Sequence, residues 1–243
     1  VGTRALLAGL GDAPGVRRLH DALQGADATT ALRAVIEDAL SGRSQDVVVD
    51  VSAALERADV PGFEEEVDVL RAVARDFPGD PGIVVALLMN LVVLRRGEAV
   101  FAPAGVLHAY QDGLGVELMA ASDNVLRGGL TPKHIDVPQL MRIVDTAPGA
   151  APVLSPIRDA AGEVFDAGVP DFRLTRVTAS GDGVSVTLAG PAIVLAATGG
   201  VGVSAGGRRV TLTPGTAAYA QDEPAITVDG TGVVYVAQRG HAG

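Results

Sequence analysis

The hydrophobic pattern of this chain changes period once, near residue 80, and that change restricts the fold more than any other feature. Before it, "GVRRLHDAL", "TTALRAVIEDAL", "VVVDVSAALERA" and "FEEEVDVLRAVARDF" place apolar residues at i, i+3, i+4 and i+7, the stripe of helices buried along one side. Thr29 and Ser44 are the expected N-caps, and Pro61-Gly62 separates the last two of these helices. "FPGDPG" interrupts the pattern, and Asp80-Pro81 then starts a short helix over Ile83 to Met89. From Leu91 the texture is strand-like. "VSVTLAG" sets Val184, Val186 and Leu188 on one face against Ser185 and Thr187, while "SAGGRR", "TPG" and "VDGTG" read as turns. These two periods predict an α+β chain: a helical unit over 1–80, a β segment over 81–150 and a β domain over 151–243. Thr146 to Pro156, "TAPGAAPVLSP", is the expected linker into the last part. The strand spacing suits a jelly roll or barrel.

Charge and composition narrow the partners. A net charge of -10 over 243 residues repels nucleic acid and anionic membrane surfaces, which leaves small molecules or proteins. Aromatics make up 3% and Trp is absent, so Val, Leu and Ala must fill the core. The absence of cysteine excludes disulfides and thiolate metal sites, and any metal must be held by His, carboxylate or amide oxygen. The longest apolar run, Ile83 to Leu94, is interrupted by Asn90 and is too short to span a bilayer. The chain opens without an initiator Met and without the basic region and cleavage site of a signal peptide, and a cytoplasmic location is expected.

The chemistry is concentrated between residues 97 and 144. In "GEAVFAPAGVLHAY", Gly97 turns one strand into the next, and Pro103 and Gly105 shape a tight corner ahead of His108. That spacing resembles the second sequence pattern of the cupin jelly rolls, with Asp112 where Asn often stands. The following block, "HAYQDGLGVELMAASDNVLRGGLTPKHIDVPQLMRIV", closely resembles the signature region of the type I mannose-6-phosphate isomerases, zinc-dependent aldose-ketose isomerases of the cupin superfamily. The likeness rests on His108-Ala109-Tyr110, Gly113, Glu117, Met119-Ala120, the run Ser122 to Val125, Arg127, and Gly129 to Asp136. Gln111 departs from it, since the family usually carries Leu there.

This resemblance implies a Zn2+ ligand at His108, an active-site arginine at Arg127, and a substrate pocket lined by Tyr110, Glu117, Asp123 and Lys133. It implies conversion between mannose 6-phosphate and fructose 6-phosphate through an enediol-like intermediate. A metal would polarise the C1 and C2 oxygens while Arg and Lys counter the phosphate and the developing oxyanion. Plainer roles exist for some of these residues. Glu117 and Met119 share a strand face by period 2, so Glu117 also reads as a rim carboxylate paired with Arg127. Asp123 and Asn124 suit an Asx-turn. His134 reads as flanking the site, His20 as a surface or packing residue, and Glu64 to Glu66 as a solvated helix start favoured by the dipole.

Two comparisons within the chain sharpen the reading. Lys133 is the only lysine among 19 basic residues, so arginine serves wherever a generic positive charge suffices, and the one compact ammonium sits inside the signature. Aligning "GEAVFAPAGVLH" from Gly97 with "GTAAYAQDEPAI" from Gly215 brings His108 opposite Ile226, so the C-terminal domain reads as a cupin-type repeat without a metal. In the family the remaining zinc ligands are a Gln and a His two residues apart and a Glu, all upstream. No Gln-x-His precedes His108 here, and the only earlier histidine is His20. The expectation is a chain lacking the first part of the catalytic jelly roll and inactive alone, either because it belongs to a longer protein or with its exposed sheet covered by a neighbouring chain. The alternative is a non-catalytic cupin-like binding or scaffold protein that has lost its metal.

Overall fold

The computed structural model describes residues 2–24, 27–121 and 125–240. Helices α1 (Gly2–Gly9), α2 (Pro14–Ala22), α3 (Ala28–Leu40), α4 (Gln45–Arg57), α5 (Glu64–Asp76) and α6 (Gly82–Leu88) come first, followed by β1 (Ala99–Val100) and α7 (Val137–Ile143). The remaining strands are β2 (Val153–Leu154), β3 (Ile157–Arg158), β4 (Glu163–Phe165), β5 (Arg173–Thr187), β6 (Ala192–Ala205), β7 (Arg208–Leu212), β8 (Ala217–Ala220) and β9 (Ala225–Gln238). The fold is α+β with antiparallel strand pairing. It divides into two compact units. One comprises Val1–Val93, Ala102–Leu114 and Asn124–Ala151, and the other Leu94–Phe101, Gly115–Asp123 and Pro152–Gly243.

In the helical unit the period-3.6 stripes meet as predicted. Leu7, Val16, Leu19, Val48, Val51, Leu55, Leu70 and Ile83 form one buried cluster. Gly15 lets α2 lie directly on α4, because a Cβ there would sit 2.9 Å from the Val47 Cα. Its amide donates to Asp50 at 2.7 Å. A second cluster joins Ile36 and Leu40 of α3, Val85 of α6, and Leu140 and Met141 of α7, with Leu107, Leu126 and Ile135 packed against it.

Several local expectations need correction. Asp27, not Thr29, caps α3, accepting from the Thr30 amide at 3.2 Å, and Thr29 lies inside the first turn. Ser44 stands at the N-cap of α4, but its side chain makes no capping bond. Helix α7 interrupts the region read as strand-like. Its signal is local, since Asp136 accepts from the Gln139 amide at 3.0 Å and Pro138 occupies the first turn. The boundary between the two compact units, at Ala151 and Pro152, falls within the stretch Thr146 to Pro156, and each end of that stretch is tied to its own unit. The buried Thr146 hydroxyl donates to the Thr29 carbonyl at 3.1 Å, and β2 pairs with β1. Among the described residues of 101–121 there is no strand, although the reading extended strand texture through them. A strand persists only where a neighbour takes its amides and carbonyls.

The C-terminal sheet has strand order β3-β4-β5-β9-β6-β7, with β8 also on β6. β9 runs through "VDGTG" without turning, against the expectation: Asp229 pairs with Gly202 and Gly230 with Val201. A bend stands where a turn was read. Bulges fall on both neighbours of β9, between Gly181 and Val184 on β5 and between Ala196 and Thr198 on β6. Each bulge shifts which alternate residues face inward. The core therefore takes Val177 and Ala179 but then Val186 from β5, and Ala192, Val194 and Ala196 but then Val201 and Val203 from β6. On β9, Ile226, Val228, Val234 and Val236 keep one parity throughout. Gly199 and Gly230, both at positive φ, let the backbones approach at the bend, where a Cβ on Gly230 would meet the Gly200 carbonyl at 2.6 Å.

The internal repeat survives in backbone detail. The Glu98 amide donates to the Arg95 carbonyl at 2.9 Å, and Thr216 repeats this to Thr213 at 2.9 Å. In return the Arg95 amide donates to the Glu98 carboxylate at 2.8 Å, and the Thr213 amide to the Thr216 hydroxyl at 3.0 Å. Gly97 and Gly215 both take positive φ, and a strand begins two residues after each.

Candidate active site

The signature residues ride on apolar neighbours that are already packed. Leu107, Leu126 and Ile135 press on the cluster formed by α3, α6 and α7, while of the residues beside them His108 and His134 are exposed and Arg127 is half-buried. The chain reaches this arrangement through close backbone approaches. Gly105, at positive φ, comes so near α7 that a Cβ would stand 2.6 Å from the Ile143 carbonyl, and its own carbonyl accepts from the Asp145 amide at 2.9 Å. Gly128 sits on Leu107, where a Cβ would be 2.8 Å from its Cδ2. The loop bearing Arg127 thus abuts the segment bearing His108.

His108 is exposed and presents one usable nitrogen. Its Nδ1 lies 3.1 Å from the Val106 carbonyl, which can only accept, so Nδ1 carries the proton and the Nε2 lone pair points away from that contact. This is the orientation a metal ligand or proton acceptor needs. The Tyr110 ring meets the imidazole edge-on, with centroids 6.2 Å apart at 61°.

Arg127 is half-buried and Lys133 exposed, within the same unit as His108. The Lys133 amide donates to the Thr131 hydroxyl at 3.2 Å, a local turn that fixes its backbone. Glu117 is exposed and belongs to the other unit. Asp123 lies outside the described residues.

The loop between the two cations is held by a residue that the sequence reading treated only as a helix start. Asp80 Oδ1 accepts from the Gly82 amide at 2.7 Å and from the Leu130 amide at 3.1 Å. The signal available in the sequence was the Gly128-Gly129 pair, since adjacent glycines mark backbone approaching backbone.

Among the described residues no group of three or more His, Asp or Glu is placed to hold a metal ion. A catalytic zinc takes three protein ligands, and His108, the ligand that the resemblance implies, has no two such groups beside it among the described residues, so the described donors do not fit a complete zinc site. Among the described residues no helix is long and apolar enough to cross a membrane. A shallow cavity of about 390 Å³ in the C-terminal unit is lined by Arg158, Glu163 and Arg176, but Glu163 pairs with both arginines and leaves it without a free charge pattern for a sugar phosphate.

No protein-family model matches the chain. Individual relatives do. It is 36% identical over 166 residues to the mannose-6-phosphate isomerase of Escherichia coli K12, a match covering 67% of this chain and 42% of that protein. It is 41% identical over 120 residues to that of Rattus norvegicus, covering 47% of this chain and 28% of the relative. Among solved structures, the apo form of mannose 6-phosphate isomerase from Salmonella typhimurium superposes with a TM-score of 0.80 at 27% identity, covering 98% of this chain and 61% of that one. The chain thus spans well under two thirds of the length of the curated relatives it matches. Over the matched stretch the chain is thus similar in sequence to mannose-6-phosphate isomerases, and over nearly every residue it resembles the solved enzyme in fold.

Proposed function

We propose that the protein containing this chain interconverts mannose 6-phosphate and fructose 6-phosphate. The observation that carries this is the identity of 36% to 41% with proteins of that activity, joined to a superposition covering 98% of the chain. The reaction moves one proton between C1 and C2 of the open-chain sugar. Removal from the carbon beside the carbonyl leaves an enediolate, and redelivery to the neighbouring carbon completes the exchange without an oxidant. Arg127 and Lys133 supply the positive charge that the phosphate and the enediolate oxygen require. The resemblance also implies substrate-recognition roles for Tyr110, Glu117 and Asp123, the last outside the described residues.

Zinc dependence belongs to the same proposal. His108 Nε2 is one nitrogen donor in it, and donors other than those described would complete the site. When bound, the metal supplies polarisation of the sugar's carbonyl oxygen. A location in the cytoplasm accords with a phosphorylated sugar as substrate.

The test is an isomerase assay on the protein expressed from its complete reading frame, at saturating zinc, beside its Arg127→Ala variant. Turnover that falls by at least about 10²-fold on substitution is the expected result, the scale for losing a positioned electrostatic group. Sugar-phosphate binding without turnover in the parent overturns the enzyme in favour of a binding or scaffold protein.

A further inference from the structure

We infer that Asp80 is a positioning residue for the basic pair Arg127 and Lys133, one carboxylate oxygen fixing the loop that separates them. The inference rests on the isomerase reading for its consequence and on geometry for its substance.

Leu130 lies midway between Arg127 and Lys133 in sequence, and it is one of two described non-glycine residues at positive φ, 53°. A leucine there is strained and persists only when its surroundings hold it. Gly129 beside it is at φ 110°. The loop thus makes two successive left-handed residues, and the second has a side chain that opposes them.

Two contacts hold this shape, and both come from the start of α6. Asp80 Oδ1 accepts from the Leu130 amide at 3.1 Å, fifty residues away in sequence, while also accepting from the Gly82 amide at 2.7 Å. Gly82 and Gly129 meet backbone to backbone. A Cβ on Gly82 would stand 2.6 Å from the Leu130 nitrogen, and a Cβ on Gly129 would overlap the Gly82 Cα. Asp80 is half-buried and Gly82 buried, so solvent competes weakly for these bonds. On its other side the loop rests on Leu107 through Gly128, next to His108. Movement of Leu130 would change the separation of Arg127 and Lys133, and electrostatic catalysis tolerates little displacement.

A competing explanation is that Asp80 merely caps the seven-residue α6. Substitution separates the two. Asp80→Asn keeps an acceptor of the same reach, whereas Asp80→Ser keeps a cap acceptor close to the Gly82 amide but is too short to hold Leu130 as well. In the protein from the complete reading frame, hydrogen exchange is read for peptides covering 126–131 and 83–88, with kcat and KM for fructose 6-phosphate.

The expected result for Asp80→Ser is exchange at least about tenfold faster over 126–131 with 83–88 unchanged. Turnover should fall at least about tenfold relative to Asp80→Asn, which restores both readouts to near the parent. The inference is overturned if 83–88 loosens together with 126–131, or if Asp80→Ser and Asp80→Asn have equal kinetics. A parent that shows no turnover overturns the isomerase reading instead, and the exchange data still decide whether Asp80 holds the loop.

Discussion

Aligning the segments that start at Gly97 and Gly215 brings His108 opposite Ile226, and truncating the two should have unequal effects. Ile226 is 1% exposed and pairs across the sheet with Val186, itself in the core. Ile226→Ala removes three carbons, a loss of about 2.4 kcal/mol at roughly 0.8 kcal/mol each. If neighbours close around most of the void and leave roughly 50 Å³, the cavity adds about 1.2 kcal/mol at ~24 cal/mol per Å³. The sum, about 3.6 kcal/mol, lies inside the usual range of about 2–5 kcal/mol for such changes. For a domain of this size it lowers Tm by about 15–25 °C. His108 is exposed and its one protein hydrogen bond described here is to the Val106 carbonyl, so His108→Ala should shift stability by no more than about 0.5 kcal/mol. Urea unfolding followed by far-UV circular dichroism, extrapolated to zero denaturant, gives both numbers. A cost below about 1 kcal/mol for Ile226→Ala, or equal costs at the two positions, would refute the view that the second repeat exchanged a metal donor for a core side chain.

The other expected outcomes concern charge, metal and backbone. Lys133→Arg should reduce isomerase turnover at saturating zinc by far more than a charge-conserving change on a surface would, and steady-state rates within about threefold of the parent would remove it from the mechanism. The Arg209 guanidinium bonded to Asp229 holds that carboxyl below the usual carboxylate range. Its stabilisation is therefore present above the unfolded value of about 3.9 and is lost as pH falls through the lower folded value. Asp229→Asn should flatten the acid limb of a stability-pH curve below about pH 4, and an unchanged slope counts against the pair. Gly232→Ala, whose Cβ would overlap the Thr198 carbonyl, should destabilise the C-terminal sheet by more than a surface substitution, read as a fall in Tm. Metal analysis after dialysis of the 243-residue chain alone should find substoichiometric zinc, since no group of three donors stands together among the described residues, and a tightly held equivalent would show that donors were missed.

The helices were legible because their determinants are local. Apolar residues three and four apart mark the buried stripe of α3, α4 and α5, and the bonds that close each helix span four residues. The signature residues were legible for a different reason: their order and types at close spacing form a recognisable pattern, and the turn at Gly97 and its copy at Gly215 need no distant partner. Caps and bends depend on more. Thr29 looked like a cap until Asp27 reached the Thr30 amide, and "VDGTG" looked like a turn because glycine and aspartate permit one. Bulges on β5 and β6 made it a bend within β9, and which strand absorbs an extra residue is settled only by pairing between segments far apart in sequence. Asp80 shows the same limit at the site. Its role as a helix start was written in the neighbouring Pro81 and Gly82, whereas its bond to Leu130 exists only because α6 and the Arg127 loop are packed together. Local chemistry is carried by neighbours in the chain, and long-range geometry arises only when the chain has closed on itself.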